Sequence, residues 1–310
     1  MKGQVGLVDI DSHNFPNLVL MKLSAWHKSQ GDSVELLKPN DLLKGANLFG
    51  GYDYLYGACV FNWNRQIADK LSEIGVQVGG TGSGNDKTLP HEIEHIMPDY
   101  SLYGITDTAY GFLTRGCPRR CPFCIVGNKE GLVSRKVADL SEFWNGQKNI
   151  VLCDPNILAS HDHMELLYQL ADSKAVVDFN QGLDARLLTK ENITVLKQIK
   201  IKRIHFAWDN PKDSTVPKAL EMFAEEWGIK PKHHAVVVYV LTNYWSDIDE
   251  DLKRIYWLRE HGYSPYIMVY DKEHAPKTIK KLQRWVNNRF VFYSTNTFDE
   301  YVKKGVVSVE

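Results

Sequence analysis

The strongest constraint on the fold is an alternation of two hydrophobic patterns between residues 110 and 286. Short apolar segments, typical of buried strands, alternate with longer segments whose apolar residues recur at helical spacing. The predicted strands are residues 110–114, 149–153, 176–180, 203–207, 235–241 and 264–270. The predicted helices are residues 138–146, 163–171, 190–199, 216–227, 248–261 and 276–286. Six consecutive strand–helix units predict an α/β fold with a parallel sheet and right-handed crossovers.

The number of units limits the architecture further. Eight units would close a barrel, so six predict an open, partial (βα)6 barrel or a doubly wound sheet. In both architectures the reactive site lies at the carboxyl ends of the strands. The segments that follow the predicted strands therefore hold the candidate functional residues. At the start of the fifth predicted helix, Asp247 and Glu250 have the spacing of a capping box.

A smaller α/β pattern precedes this alternation. Strands are predicted at residues 4–10, 34–37, 52–60 and 76–78, with helices at 17–30 and 64–74. This order predicts a small flavodoxin- or Rossmann-like domain. The glycine-rich segment 79–84 follows its last strand, either as a loop that approaches a ligand or as a flexible linker. We predict a small α/β domain at residues 1–104 and a barrel domain with a C-terminal extension at 105–310.

Three of the five cysteines lie close together, directly after the first predicted strand of the barrel. Cys117, Cys121 and Cys124 have the spacing C-x3-C-x2-C. Clustered thiols of this kind indicate a metal or redox site rather than a disulfide framework. Three thiolates can hold three irons of a four-iron cluster and leave the fourth iron open to a substrate or cofactor. The alternatives are a zinc site completed by a histidine, or a chance cluster.

This motif, at the first strand-to-loop junction of a βα barrel, resembles that of the radical S-adenosylmethionine (SAM) superfamily. The resemblance covers about residues 110–270, and Phe123 matches the aromatic residue that the family places before the third cysteine. It implies a [4Fe–4S] cluster on the three cysteines and SAM bound to the open iron. It also implies reductive cleavage of SAM to methionine and a 5′-deoxyadenosyl radical, with an electron donor such as flavodoxin or ferredoxin.

The same resemblance suggests residues that contact SAM. Family members bind the SAM amino group after the second strand, often with Gly-Gly-Glu, where this chain has Cys153-Asp154-Pro155-Asn156. Asp154 is the carboxylate available there for the ammonium group, and a turn residue is the alternative interpretation. After the third strand, Arg186 is expected to hold the SAM carboxylate, and Gln181 or Asp184 the ribose. The alternative is a surface ion pair between Arg186 and Asp184.

Two further candidates are aromatic or thiol side chains near strand ends. Trp208 follows the fourth strand, where it would stack on adenine or cover the barrel rim. Cys59 and Cys153 are interpreted as buried core cysteines. Because Cys153 ends the second predicted strand, a role near the cluster stays open for it.

The N-terminal domain resembles a truncated form of the cobalamin-binding domain found in one branch of the superfamily. Many such domains carry D-x-H-x-x-G, where this chain reads Asp11-Ser12-His13-Asn14-Phe15-Pro16. Proline replaces the glycine that allows close approach of the cofactor. Four predicted strands also fall short of the usual five. We therefore expect no tight cobalamin binding and interpret His13 as a loop histidine.

Charge and hydropathy exclude some functions. Lys and Arg total 37 and Asp and Glu total 38, so no global field favours nucleic acid or a membrane surface. No apolar run is long enough to span a bilayer. The carboxylates of Asp9 and Asp11 are incompatible with a secretory signal, which predicts a cytosolic protein.

Two alternatives to a radical enzyme remain. The first is a non-catalytic Fe–S or zinc protein. The second is a nucleic-acid binding module, because a C-terminal basic run is interleaved with aromatic residues. More often such a run is the solvated face of a terminal helix. Its members are Lys272, Lys277, Lys280, Lys281, Arg284 and Arg289, with Trp285 and Phe290.

Overall fold

The computed structural model describes residues 2–11, 15–44, 51–85, 87–229 and 236–303. The strands are β1 (Gln4–Asp9), β2 (Ser33–Leu37), β3 (Tyr54–Ala58), β4 (Gln77–Gly79), β5 (Thr108–Gly111), β6 (Thr114–Arg115), β7 (Arg135–Lys136), β8 (Asn149–Leu152), β9 (Val176–Phe179), β10 (Lys200–Ala207), β11 (Val236–Thr242) and β12 (Ser264–Val269). The helices are α1 (Leu18–Ser29), α2 (Pro39–Leu43), α3 (Arg65–Glu73), α4 (His91–Glu94), α5 (Val126–Glu130), α6 (His163–Ser173), α7 (Lys190–Leu196), α8 (Thr215–Trp227), α9 (Ile248–Glu260), α10 (Lys277–Asn287), α11 (Arg289–Ser294) and α12 (Phe298–Lys303).

The small N-terminal sheet is parallel and has the order β2-β1-β3-β4. This is the flavodoxin-like order 2-1-3-4, and no fifth strand joins this sheet within the described residues. Successive residues of β1 point to opposite faces, so Val5 and Leu7 pack in a cluster with Leu20 of α1. Val8 packs in a second cluster with Leu71 of α3. The sheet is therefore covered by helices on both faces. The short helix α2 lies between β2 and β3, where no helix was predicted.

The large sheet has the order β12-β11-β10-β9-β8-β5. Strands β8 to β12 pair in parallel, each with its neighbour in sequence. In a doubly wound sheet the order of the strands reverses at a switch point, whereas in a barrel each strand lies next to the one before it in sequence. The fold is thus mixed α/β with a sequentially ordered, open sheet, and the fold-class prediction is confirmed. Within the described residues, no helix is long and apolar enough to span a membrane.

The first strand–helix unit differs from its prediction. The predicted strand at 110–114 ends at Gly111, and β6 instead pairs antiparallel with β7. The predicted helix at 138–146 is wrong, since that segment contains only the 3-10 turn Leu140–Glu142. The other five helices lie where the apolar spacing placed them. The predicted capping box is present at the start of α9: the amide of Glu250 donates to the Asp247 carboxylate at 2.9 Å, and the amide of Asp247 donates to the Glu250 carboxylate at 3.1 Å.

The chain divides into two compact units. The first comprises Met1–Gly111 and Ala138–Lys148, and the second comprises Phe112–Val137 and Asn149–Glu310. The boundary at residues 104–105 stays a prediction. The cysteine motif and the candidate SAM-binding residues all belong to the second unit.

Candidate functional site

The cysteine segment is a loop closed at its base by the β6–β7 ribbon. Gly116 has a φ of +90°, and a Cβ there would lie 2.2 Å from the carbonyl oxygen of Val133. Only glycine fits this close approach and this left-handed backbone. Next to it, the amide of Cys117 donates to the carbonyl of Gly131 at 3.1 Å. Packing therefore requires glycine at the position before the first cysteine. The backbone of Gly116 sets the direction in which the loop leaves the β6–β7 ribbon.

Asp154 anchors the chain where it enters this loop. Its side chain is buried, with only 4% of the residue exposed. Its carboxylate accepts hydrogen bonds from the amides of Leu113 and Thr114 and, at 2.7 Å, from the Thr114 hydroxyl. The predicted SAM-ammonium contact requires a carboxylate that faces the rim. In the structure, this carboxylate accepts hydrogen bonds from the backbone at residues 113–114 and positions the loop, and its contact with SAM stays a prediction.

Burial raises the pKa of Asp154 to about 6, which outweighs the lowering effect of its three donors. The ordinary pKa of this carboxyl, which applies to the unfolded chain, is 3.8. At pH values between 3.8 and about 6, folding is therefore accompanied by uptake of a proton at Asp154. The stability of the wild type relative to Asp154→Asn should therefore fall by about 2 kcal/mol as the pH rises from about 4 to about 6.5. Anaerobic chemical denaturation of the cluster-free proteins measures this difference.

Asp213→Asn is the matched control. Hydrogen bonds and the Arg186 charge lower the pKa of Asp213 despite its partial burial, so it titrates below this window. Its relative stability should change little over the same range. A flat difference for Asp154→Asn would show that the Asp154 carboxyl has no such shift.

The three motif cysteines differ in environment. Cys117 and Cys121 are partly buried, and Cys124 is exposed. Burial raises the pKa of the Cys121 thiol, and the nearby Asp209 carboxylate adds to this effect. Among the described residues, no group of three or more His, Cys, Asp or Glu side chains surrounds a single metal position. A four-iron cluster binds each thiolate through a different iron, so its ligands do not have to converge on one point.

Asp184 connects the loop to the segment after β9. Its side chain is 6% exposed and accepts from the Nε atoms of both Arg119, at the centre of the cysteine motif, and Arg186. Arg186 also donates from Nη2 to Asp184 at 3.2 Å and from Nη1 to Asp213 at 3.2 Å. The alternative interpretation of Arg186 as a partner of Asp184 thus describes a real contact. The Asp184 end of this pair is buried, however, and does not lie at the surface.

Asn156 also belongs to the site, although the sequence pattern did not single it out. It is 3% exposed, and its Nδ2 lies 3.5 Å from Sγ of Cys117 and 3.4 Å from Oδ2 of Asp184. Its Oδ1 is buried and has no hydrogen-bond partner among the described residues. Buried polar atoms are rarely left unpaired. This oxygen could therefore accept a hydrogen bond from a group that binds next to the cysteines. The SAM ammonium group is such a donor.

Phe123 lies among aromatic side chains that follow β11. Its ring meets Tyr244 edge-on at 5.5 Å and Trp245 edge-on at 5.4 Å between centroids. Tyr244 also contacts Tyr270, which follows β12. The residue before the third cysteine of the motif therefore packs against aromatic rings.

Gln181 and Trp208, two other predicted SAM contacts, differ in how far they are exposed to solvent. Gln181 is exposed. Trp208 is buried and packs edge-on against Trp257 at 5.3 Å, with its indole nitrogen unpaired in the described structure. Stacking on adenine stays a prediction for Trp208. Its neighbour Asp209 was not selected, although it too follows a strand, and burial raises its pKa to about 6.

The remaining sequence candidates are buried cysteines, the C-terminal basic run, and one residue outside the described part of the chain. Cys59 and Cys153 are both buried, and burial raises the pKa of their thiols to about 11 and about 12. His13 falls outside the described residues. In the C-terminal basic run, Trp285 is fully buried in the core and Phe290 is 90% exposed. Trp285 therefore cannot serve as a stacking surface for a base.

Solved structures with the same fold identify the architecture. The radical S-adenosylmethionine methyltransferase TsrM from Kitasatospora setae, solved with tryptophan substrate and aza-SAM, matches with a TM-score of 0.62 at 10% identity. That match covers 86% of this chain and 73% of TsrM. The chain has the fold of a radical SAM enzyme.

The cobalamin-dependent S-adenosylmethionine radical enzyme OxsB matches with a TM-score of 0.57 at 16% identity. It covers 96% of this chain, which spans only 56% of OxsB. At these identities the likeness concerns the fold alone. No protein-family model and no curated protein matches the chain.

Proposed function

We propose that this protein is a radical SAM enzyme in which Cys117, Cys121 and Cys124 hold a [4Fe–4S] cluster. The observation that carries the proposal is the position of the C-x3-C-x2-C loop. It follows the first strand of a sequentially ordered α/β sheet, with only the short strand β6 between them, and polar residues that follow β8 and β9 contact it. This combination of motif, strand position and fold supports the radical SAM class more strongly than a structural zinc or Fe–S site.

When bound, the cluster supplies the electron that cleaves SAM to methionine and a 5′-deoxyadenosyl radical. The chain's own residues hold and shape the site. Asp154 and Gly116 fix the base of the cysteine loop, and Asp184 ties Arg119 to the segment after β9. Asn156 offers an unpaired buried oxygen for the SAM ammonium group. The electron would come from a separate donor protein such as flavodoxin or ferredoxin.

The proposal does not include cobalamin, although OxsB depends on it. In this chain the glycine-rich segment after β4 packs on the chain itself. A Cβ at Gly80 would lie 2.4 Å from the carbonyl oxygen of Cys59, and one at Gly82 would lie 2.5 Å from that of Phe61. The Asp11 carboxylate is likewise occupied, by the Val60 amide and, at 2.8 Å, by the Asn64 side chain. These glycines therefore serve internal packing.

The test is anaerobic reconstitution with iron and sulfide, followed by reduction in the presence of SAM. We expect about four irons per chain and release of 5′-deoxyadenosine, as the cluster chemistry requires. S-adenosylhomocysteine should be followed alongside, since it would report methyl transfer of the kind named for TsrM. A reduced, four-iron protein that releases no 5′-deoxyadenosine from SAM would contradict the proposal.

A further inference from the structure

The side-chain amide of Asn156 lies between a cluster ligand and a buried carboxylate. Its Nδ2 is 3.5 Å from Sγ of Cys117 and 3.4 Å from Oδ2 of Asp184. The backbone carbonyl of Asn156 also accepts a hydrogen bond from the buried hydroxyl of Ser134 at 2.9 Å, and Ser134 directly precedes β7. Asn156 is thus held on both its backbone and its side chain.

The orientation of this amide follows from its neighbours. The Asp184 carboxylate, paired with Arg119 and Arg186, is ionised, and hydrogen bonding to these arginines lowers its pKa despite burial. An ionised carboxylate only accepts hydrogen bonds, and so does a metal-bound thiolate. The NH2 group of the amide is the end that satisfies both acceptors, whereas a flipped amide would place its oxygen against them. The two amide hydrogens therefore point to Cys117 and Asp184.

We infer that Asn156 is a positioning residue that raises the reduction potential of the cluster, an inference that rests on the proposed function. Reduction adds one electron from the external donor, and the extra negative charge is shared by the iron-bound sulfurs. A donor to a cluster sulfur stabilises this more negative state over the oxidised one. Because Asn156 is buried, water is poorly placed to replace its hydrogen bond.

Asn156→Leu tests this inference, because leucine has a similar size and no donor. The loaded variant should show a more negative midpoint potential in a dye-mediated titration monitored by EPR. At the wild-type midpoint, its reduced-to-oxidised ratio should fall roughly two- to tenfold, as expected for loss of one neutral hydrogen bond. Gln198→Leu, which removes an exposed side-chain amide of the same unit, should leave the midpoint unchanged.

A second measurement needs no substitution. In wild-type protein with ¹⁵N-labelled asparagine side chains, pulsed EPR of the reduced cluster should detect a weakly coupled ¹⁵N nucleus. An unchanged midpoint in loaded Asn156→Leu would overturn the inference. If that variant fails to load iron, absence of the ¹⁵N coupling would overturn it. Failure of the wild type to bind about four irons would instead contradict the proposed function.

Discussion

Single replacement of Cys117, Cys121 or Cys124 by Ala should abolish the visible absorbance of the cluster and reduce SAM cleavage to background. Each thiolate is expected to bind a different iron, so the loss of one leaves that iron without a protein ligand. Asp154 and Gly116 fix the base of the loop. The other two cysteines, Cys59 and Cys153, are buried and are therefore poorly suited to replace a lost ligand. Iron content, absorbance and 5′-deoxyadenosine release after anaerobic reconstitution measure the effect.

Cys59→Ala and Cys153→Ser are the matched controls, and both should keep the cluster and its activity. The Cys153 control is the more demanding, because Cys153 immediately precedes Asp154. If Cys153→Ser lost the cluster while its fold was intact, a fourth protein ligand would be indicated. A triple variant of the motif cysteines that still bound about four irons per chain would rule out the motif as the cluster site.

The sequence was sufficient to predict the strands and helices wherever burial follows a simple period. Strand β11 reads as an apolar run because one of its faces is fully buried and the other is partly buried, and α8 carries Leu220 and Phe223 on one buried side. The predictions failed at the first strand–helix unit. There the chain must leave the sheet at Gly111 to form the cysteine loop, so local periodicity no longer reflects burial.

The site was predictable in its ligands but not in its supporting contacts. The cysteine spacing is local, so the sequence reveals it directly. The partners of Asp154 lie about 40 residues away in sequence, at Leu113 and Thr114, and which way its carboxylate faces depends on the packing of β8. The contact of Asn156 with Cys117 is equally remote in sequence. The sequence feature that could have indicated both residues is their position, since both follow a parallel strand.

Asp184→Ala should lower the free energy of unfolding by about 3 kcal/mol. Removing one member of a buried ion pair leaves its partners without a counter-charge, which typically costs about 3–5 kcal/mol. We expect the lower end of that range because the Arg119 and Arg186 side chains are 32% and 30% exposed and remain partly hydrated. Anaerobic denaturation of the cluster-free protein measures the change.

Asp213→Ala provides the comparison, because Asp213 meets the same Arg186 but is more exposed and makes a single contact of 3.2 Å with it. Its removal should lower the free energy of unfolding by about 1 kcal/mol or less. Equal effects of the two substitutions would show that Asp184 is an ordinary surface partner. Because Arg119 lies between the first two motif cysteines, the loss of Asp184 should also free that part of the loop. Asp184→Ala should therefore release iron faster than Asp213→Ala, which leaves the Arg119–Asp184 contact in place.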